Sequence, residues 1–418
     1  MPLIQLPPEV LLRVMEEIDD VFTLRALALS CHSVRNIIFK HERTLCRRVL
    51  KNLVAGLGAK DVAVAWEARQ QLSAMPARTG WSAPAQEQFL ERHHAITDEQ
   101  SVADMTMCKA LSIARLYDAM RYFACDCAEG GLRNWYERHP SHLSQEPGAS
   151  ELEIIRIQRA LCRFELYSCL FTGLDSQSSD YGEQYDERER SVFWDRFAPW
   201  ENEQVTCVYD YFYRRLTDML EELATLDADW AVHLSILGGV NDNVVQLWLA
   251  RGLSGLHSFF TATIDSRRIY LTNSPPKSNF KPTFLSDGLR IATNPSIDTP
   301  LSDMTPDEQG KVIKPASKDD GDSGPERILR WAHQTESPAD APDQGFVLSE
   351  RQMGLRECGY VFWDCARIDR WGLLQRPSQG DFSTADKRTE REYESRDGLR
   401  ELAETLAEQG KTKSQWVV

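Results

Sequence analysis

LPPEVLLRVMEEIDDVFTLRALALSCHSVRNIIFK, residues 6–40, spaces its apolar side chains for three short helices. Leu6, Pro7, Pro8 and Glu9 open the first: prolines cost least where a first-turn N–H has no helical acceptor, and an acid suits the positive end of a helix. Val10, Leu11, Val14, Met15 and Ile18 recur at helical spacing as a wide apolar stripe, with Arg13, Glu16 and Glu17 largely off it. Asp19-Asp20 ends this helix and offers a cap for the next, whose apolar face holds Leu24, Leu27 and Ala28. Ser30 is placed to cap a third helix that turns Val34, Ile37 and Ile38 inward. Arg35, Lys40, Arg43, Arg47 and Arg48 lie on its polar side and beyond.

Outward from this head, residues 60–270 keep the helical period. The stretches 100–128, 151–171, 203–226 and 242–260 each repeat apolar residues about every 3.6 positions. In 151–171, Ile154, Ile157, Leu161 and Phe164 share one face. Sustained apolar/polar alternation is absent, so the chain reads as all-α: a trihelix, then an irregular helical body. Residues 271–345 hold ten of the nineteen prolines with abundant Ser, Asp and Lys, which predicts a disordered linker. Order returns in 346–418. Leu355, Gly359, Phe362 and Ala366 fall on one face of a predicted helix, and Tyr360, Trp363 and Arg367 on another. Such a helix belongs against the body. Residues 386–410 read as a charged helix, and no internal repeat appears.

Charge and composition exclude several classes. The net charge of −15 argues against nucleic-acid binding, which needs excess Lys and Arg against phosphate. Residues 1–60 nonetheless hold nine Lys/Arg against six Asp/Glu, so a mildly basic head stands on an acidic body. The opening MPLIQLPPEVLLRV lacks the pattern of a secretory signal, and no apolar run of about 18 residues could span a bilayer. The ten cysteines include no CxxC pair, and no N-x-[ST] sequon free of proline occurs. These features predict an intracellular protein of cytoplasm or nucleus, with no membrane partner.

The head resembles the F-box family. The residues that carry the resemblance are Leu6-Pro7-Pro8-Glu9-Val10-Leu11, Val14 and Ile18, Leu24 and Leu27, and Cys31 followed by Val34. Leu45 stands where the family often has a tryptophan, and Val34 where a larger aromatic is common. The resemblance covers about 45 residues, and residues 1–50 are the expected adaptor-binding segment. It implies docking on a Skp-type adaptor and, through it, a cullin scaffold, as the substrate-receptor subunit of a ubiquitin ligase. No catalytic residue, cofactor or metal is then required of this chain, since the receptor contributes proximity. The unidentified protein substrate would be held by residues 60–270. The aromatic cluster at 193–200 and the Gly359–Trp363 segment are similar to F-box-containing proteins of filamentous fungi.

Other motifs have ordinary explanations. Gly321-Asp322-Ser323-Gly324-Pro325 imitates a protease nucleophile motif but sits in a proline- and serine-rich linker after an all-α region, which predicts a flexible turn. Cys125-Asp126-Cys127, with Cys108, His93 and His94 upstream, lacks the spacing of a zinc site. The charge run Asp186–Arg190 reads as a solvated helix face. Phe193-Trp194-Asp195-Arg196-Phe197-Ala198-Pro199-Trp200 is either a recognition surface or a core junction, the second being favoured. Two other classes stay open: a helical scaffold whose first helices complete its own core, and an enzyme of unknown class within 60–270.

Overall fold

The computed structural model describes residues 6–75, 80–139, 147–171, 183–226, 242–272, 288–289, 321–334 and 350–375. Helix accounts for 82% of these, and no strand occurs among them. The chain is all-α. Its head consists of α1 (Pro8–Glu16), α2 (Val21–Ser30) and α3 (His32–Lys40), followed by α4 (Glu42–Leu53). Asp20 caps α2, accepting from the N–H groups of Phe22 at 3.0 Å and Thr23 at 2.9 Å. Ser30 does not cap α3. It stays in the last turn of α2 and donates to the Leu27 carbonyl, while the thiol of Cys31 takes the capping position against Val34 N.

The body follows as α5 (Ala59–Ala74), α6 (Ala83–Ala95), α7 (Asp98–Ser101), α8 (Met107–Arg138), α9 (Glu151–Phe171), α10 (Glu183–Val192) and α11 (Pro199–Leu226). Then come α12 (Asp242–Leu249), α13 (Gly252–Phe260) and α14 (Ile264–Thr272). Helix α9 is the axis: α5, α8, α11 and α13 all pack on it. The Ile157, Leu161 and Phe164 face is buried, and so is most of the rest of the helix, including Glu153, Arg156 and Glu165. The head is not a separate bead. Helices α2 and α4 pack on α8, and the Asn52 amide donates to the carbonyls of Glu16 and Ile18, at 2.8 and 2.9 Å.

The chain after 272 departs from the expected linker. Residues 321–334 carry α15 (Gly324–Gln334), whose Ile328, Leu329, Trp331 and Ala332 are buried in the common core. Those four apolar residues supply the burial that the proline-rich average conceals. The remainder of 271–345, apart from 271–272 and 288–289, lies outside the described residues, as does the charged helix expected at 386–410. The single helix expected across 354–367 is also broken. Helix α16 (Glu350–Glu357) stops at Gly359, whose φ of +63° is left-handed and favours glycine. A 3₁₀ turn (Tyr360–Phe362) and α17 (Cys365–Trp371) follow. Leu355 and Phe362 therefore do not share a helix, though both are buried.

This C-terminal strap, 350–375, is tied to the body by charge. The Glu153 carboxylate accepts from Arg367 Nε and Nη2, both at 2.8 Å, and from the N–H groups of Ser150 at 2.7 Å and Asp364 at 2.9 Å. Burial pushes the Glu153 carboxyl up, but Arg367 and those two N–H donors outweigh it and hold it below the ordinary value. A depressed folded-state value stabilises above the unfolded pKa of about 4.3 and is lost as pH falls. Glu153→Gln is therefore expected to lower stability near neutrality and to flatten the acid limb below about pH 5. Urea unfolding across pH 3–8, comparing the two proteins, measures both effects.

Candidate docking surface

The apolar stripe of α1 is split between two faces. Leu11 and Met15 are buried, and Leu6 and Ile18 are partly so. Pro7, Val10 and Val14, spaced at i, i+3 and i+7, share the other face and look outward, with Val10 at 43% and Val14 at 46% exposure. Sequence periodicity could not separate these sets, because two apolar residues per turn fit either direction. On α2, Leu24 is fully buried and Leu27 half-buried; on α3, Val34 is buried behind the Cys31 cap. On the same two helices Leu29 and Phe39 stand out at 72% and 63% exposure. Four of the eight large apolar residues exposed among those described thus fall between positions 10 and 39. The head is thus where exposed apolar side chains are most concentrated among the described residues.

Charge is segregated over the same ground. Between residues 21 and 53 the only acid is Glu42, against Arg25, Arg35, Lys40, Arg43, Arg47, Arg48 and Lys51. Arg43 and Arg47 reach Asp104 and Glu99 of the body, at 3.3 and 3.9 Å, and Lys51 also contacts Glu99. Arg25, Arg35, Lys40 and Arg48 are exposed and form no ion pair among the described residues. Arg25 lies four residues before Leu29, and Arg35 four before Phe39, so each exposed apolar side chain shares a helix face with a cation. Asp20, although partly desolvated, is held below its usual carboxylate range by Thr23, the Phe22 and Thr23 N–H groups and Arg121 of α8. That favours the charged form at the α1–α2 corner.

Elsewhere the motifs resolve into structure. Glu189 of the charge run is not solvated: it is buried and accepts from Tyr167 OH at 2.6 Å and Trp194 Nε1 at 3.3 Å. Phe193 and Trp194 lie fully inside, beside Tyr167, so the 193–200 cluster is a core junction. Cys125 is exposed while Cys127 is buried with its thiol pushed up to about 12, so the pair does not converge. Among the described residues no group of three metal-ligating side chains occurs. Asp322 of the protease-like motif accepts from Gly324 N at 2.6 Å and from Cys365 N at 3.1 Å, locking α15 against the strap. A Cβ on Gly324 would come within 2.6 Å of Cys365 N and the Trp363 carbonyl, so the close approach requires glycine. Among the described residues, no helix is long and apolar enough to cross a membrane.

No family model, curated protein or solved structure matches this chain.

The two faces of the head differ in what they do for stability. Leu24→Ala empties a fully buried site and is expected to cost about 2–5 kcal/mol. Val10→Asp and Phe39→Asp alter only the outward face and are expected to stay within about 0.5 kcal/mol of the parent. Urea unfolding monitored by tryptophan fluorescence separates the two groups.

Proposed function

We propose that this chain is a substrate-receptor subunit of a cullin-based ubiquitin ligase, docking by its head on a Skp-type adaptor and recruiting a protein substrate. The observation that carries this reading is the exposure of apolar side chains on the head: Pro7, Val10 and Val14 at α1, Leu29 on α2 and Phe39 on α3. These positions coincide in part with the residues through which the head resembles the F-box family. Exposed apolar side chains accompanied on α2 and α3 by exposed Arg25, Arg35 and Lys40 suit a partner that offers apolar pockets in an acidic surround. The chain then works by proximity, holding a substrate lysine close to ubiquitin carried by another subunit.

A helical scaffold is the second reading, favoured by the burial of Leu45, Val49 and Leu50 and the packing of α4 on α8. Truncation at residue 50 does not separate the two. It removes most of α4 and bares α8 whichever reading holds. Substitutions on the outward face do separate them, because they spare the core.

The test is co-purification of the full chain with a Skp-type adaptor. Val10→Asp with Val14→Asp, and Leu29→Asp with Phe39→Asp, are each expected to weaken capture about tenfold or more while leaving the unfolding midpoint unchanged. Failure of the parent chain to hold the adaptor, or undiminished capture by both double variants, overturns the proposal in favour of the scaffold.

A further inference from the structure

The strap is held as a bound peptide is held. Side chains of the body reach its main chain: Asn134 donates to the Glu357 carbonyl at 2.8 Å, Gln204 to Val361 at 3.0 Å and Arg156 to Phe362 at 2.9 Å. Two arginines of the strap enter carboxylate slots. Arg356 meets Glu203 at 2.7 Å, with side chains 0% and 1% exposed, and Arg367 meets Glu153 at 2.8 Å. Between them Tyr360 donates to Glu203 at 3.0 Å, and Trp363 lies across Gly131, where a Cβ would come within 3.2 Å of its ring. Beyond Arg367, Trp371 stacks on Trp135 at 4.3 Å.

The strap has little order of its own to bring. Helices α16 and α17 run for eight and seven residues, well below the roughly 12 at which an isolated helix becomes even marginal in water. Its conformation is therefore supplied by the surface that receives it. That surface belongs to α8, α9 and α11, whose partners lie 153 to 223 positions away in the chain, and to α15 with its preceding Asp322, which meet Asp369 and Cys365 N. In sequence the strap follows α15 after 15 residues, and this covalent continuity raises its local concentration at the groove.

We propose that the face formed by α8, α9, α11 and α15 is a peptide-binding groove, filled here in cis by residues 356–371, whose ligands carry two arginines eleven positions apart around an aromatic turn. Glu203 and Glu153 select the arginines. Asn134, Gln204 and Arg156 read the backbone between them. A segment of that chemistry on another protein competes with the strap for the same slots. The inference does not rest on adaptor docking, and its test involves no ligase component.

The experiment uses the full chain with a protease site placed between residues 335 and 349. After cleavage, the nicked protein is mixed with a fluorescent peptide of residues 350–375. The expected result is saturable uptake of labelled peptide with release of the native C-terminal fragment. Peptides bearing Arg356→Glu or Arg367→Glu are expected to bind about a hundredfold more weakly or worse, since each sets like charges together in a buried slot. The uncut chain keeps its strap at high effective concentration and is expected to take up far less peptide. Because the substitutions sit in the peptide, folding of the body is not at issue. Exchange only at denaturant concentrations that unfold the nicked protein globally, loss of the body's fold on cleavage, or equal binding of the charge-reversed peptides overturns the proposal.

Discussion

Helix α9 is buried on nearly every side while carrying Glu153, Arg156 and Glu165 into the interior. A charge taken from water costs several kcal/mol unless a partner and further hydrogen bonds receive it. Each of these three residues therefore dictates where another segment must lie. Glu165 accepts from Arg69 of α5 at 2.7 Å and from Leu253 N of α13 at 2.6 Å, which brings two distant helices to one carboxylate. Glu153 and Arg156 claim Arg367 and Asp364 of the strap. Apolar packing alone would permit helices to slide and rotate; the ionic requirement admits one arrangement.

The same demand recurs on α11, where Glu203 is fully buried beside Arg356, Tyr360 and Asp210. Here burial pushes the carboxyl above its ordinary value, even with Arg356 and Tyr360 hydrogen-bonded to it. Glu153 is shifted the other way, because two backbone N–H groups add to its arginine. The contrast explains how one strap can be specified at two points by unlike means. Four donors fix the Arg367 end, while the Arg356 end is secured as much by the exclusion of water around Tyr360 and Phe362 as by the pair itself.

The helical class was legible because α-helical spacing survives in long stretches such as 151–171, and the capping role of Asp20 was legible from Asp-Asp between two apolar runs. What could not be read has a common cause. Spacing reports the direction of a side chain on its own helix, not what stands opposite. Val10 and Leu11 look alike until α4 is in place, and Glu189 in a charge run looks solvated until Tyr167 and Trp194 claim it. Composition averages misled in the same way: ten prolines in 271–345 obscured Ile328, Leu329, Trp331 and Ala332, which suffice to bury α15. The buried arginines gave a faint signal. Arg356 and Arg367 flank a run of Tyr, Phe and Trp too apolar to stand in water, and charges framing such a run call for acids within the receiving surface.

The outward face of the head and the strap groove are joined by a single element. Helix α8 has 32 residues, so it spans about 48 Å at 1.5 Å per residue. At its N-terminus Met107 N donates to Glu42 of α4 at 2.8 Å, and α2 packs against the same helix. Near its C-terminus Asn134 and Arg138 hold Glu357 of the strap. A receptor that acts by proximity needs a defined separation between where it docks and what it holds, since a loose tether dilutes the effective concentration it creates. One continuous helix, buttressed along its length by α4, α5, α9 and α13, would supply that separation in the receptor role proposed above. The burial that makes the head inseparable from the body is thus compatible with docking: it turns a short, marginal trihelix into a rigid extension of the surface that holds the strap.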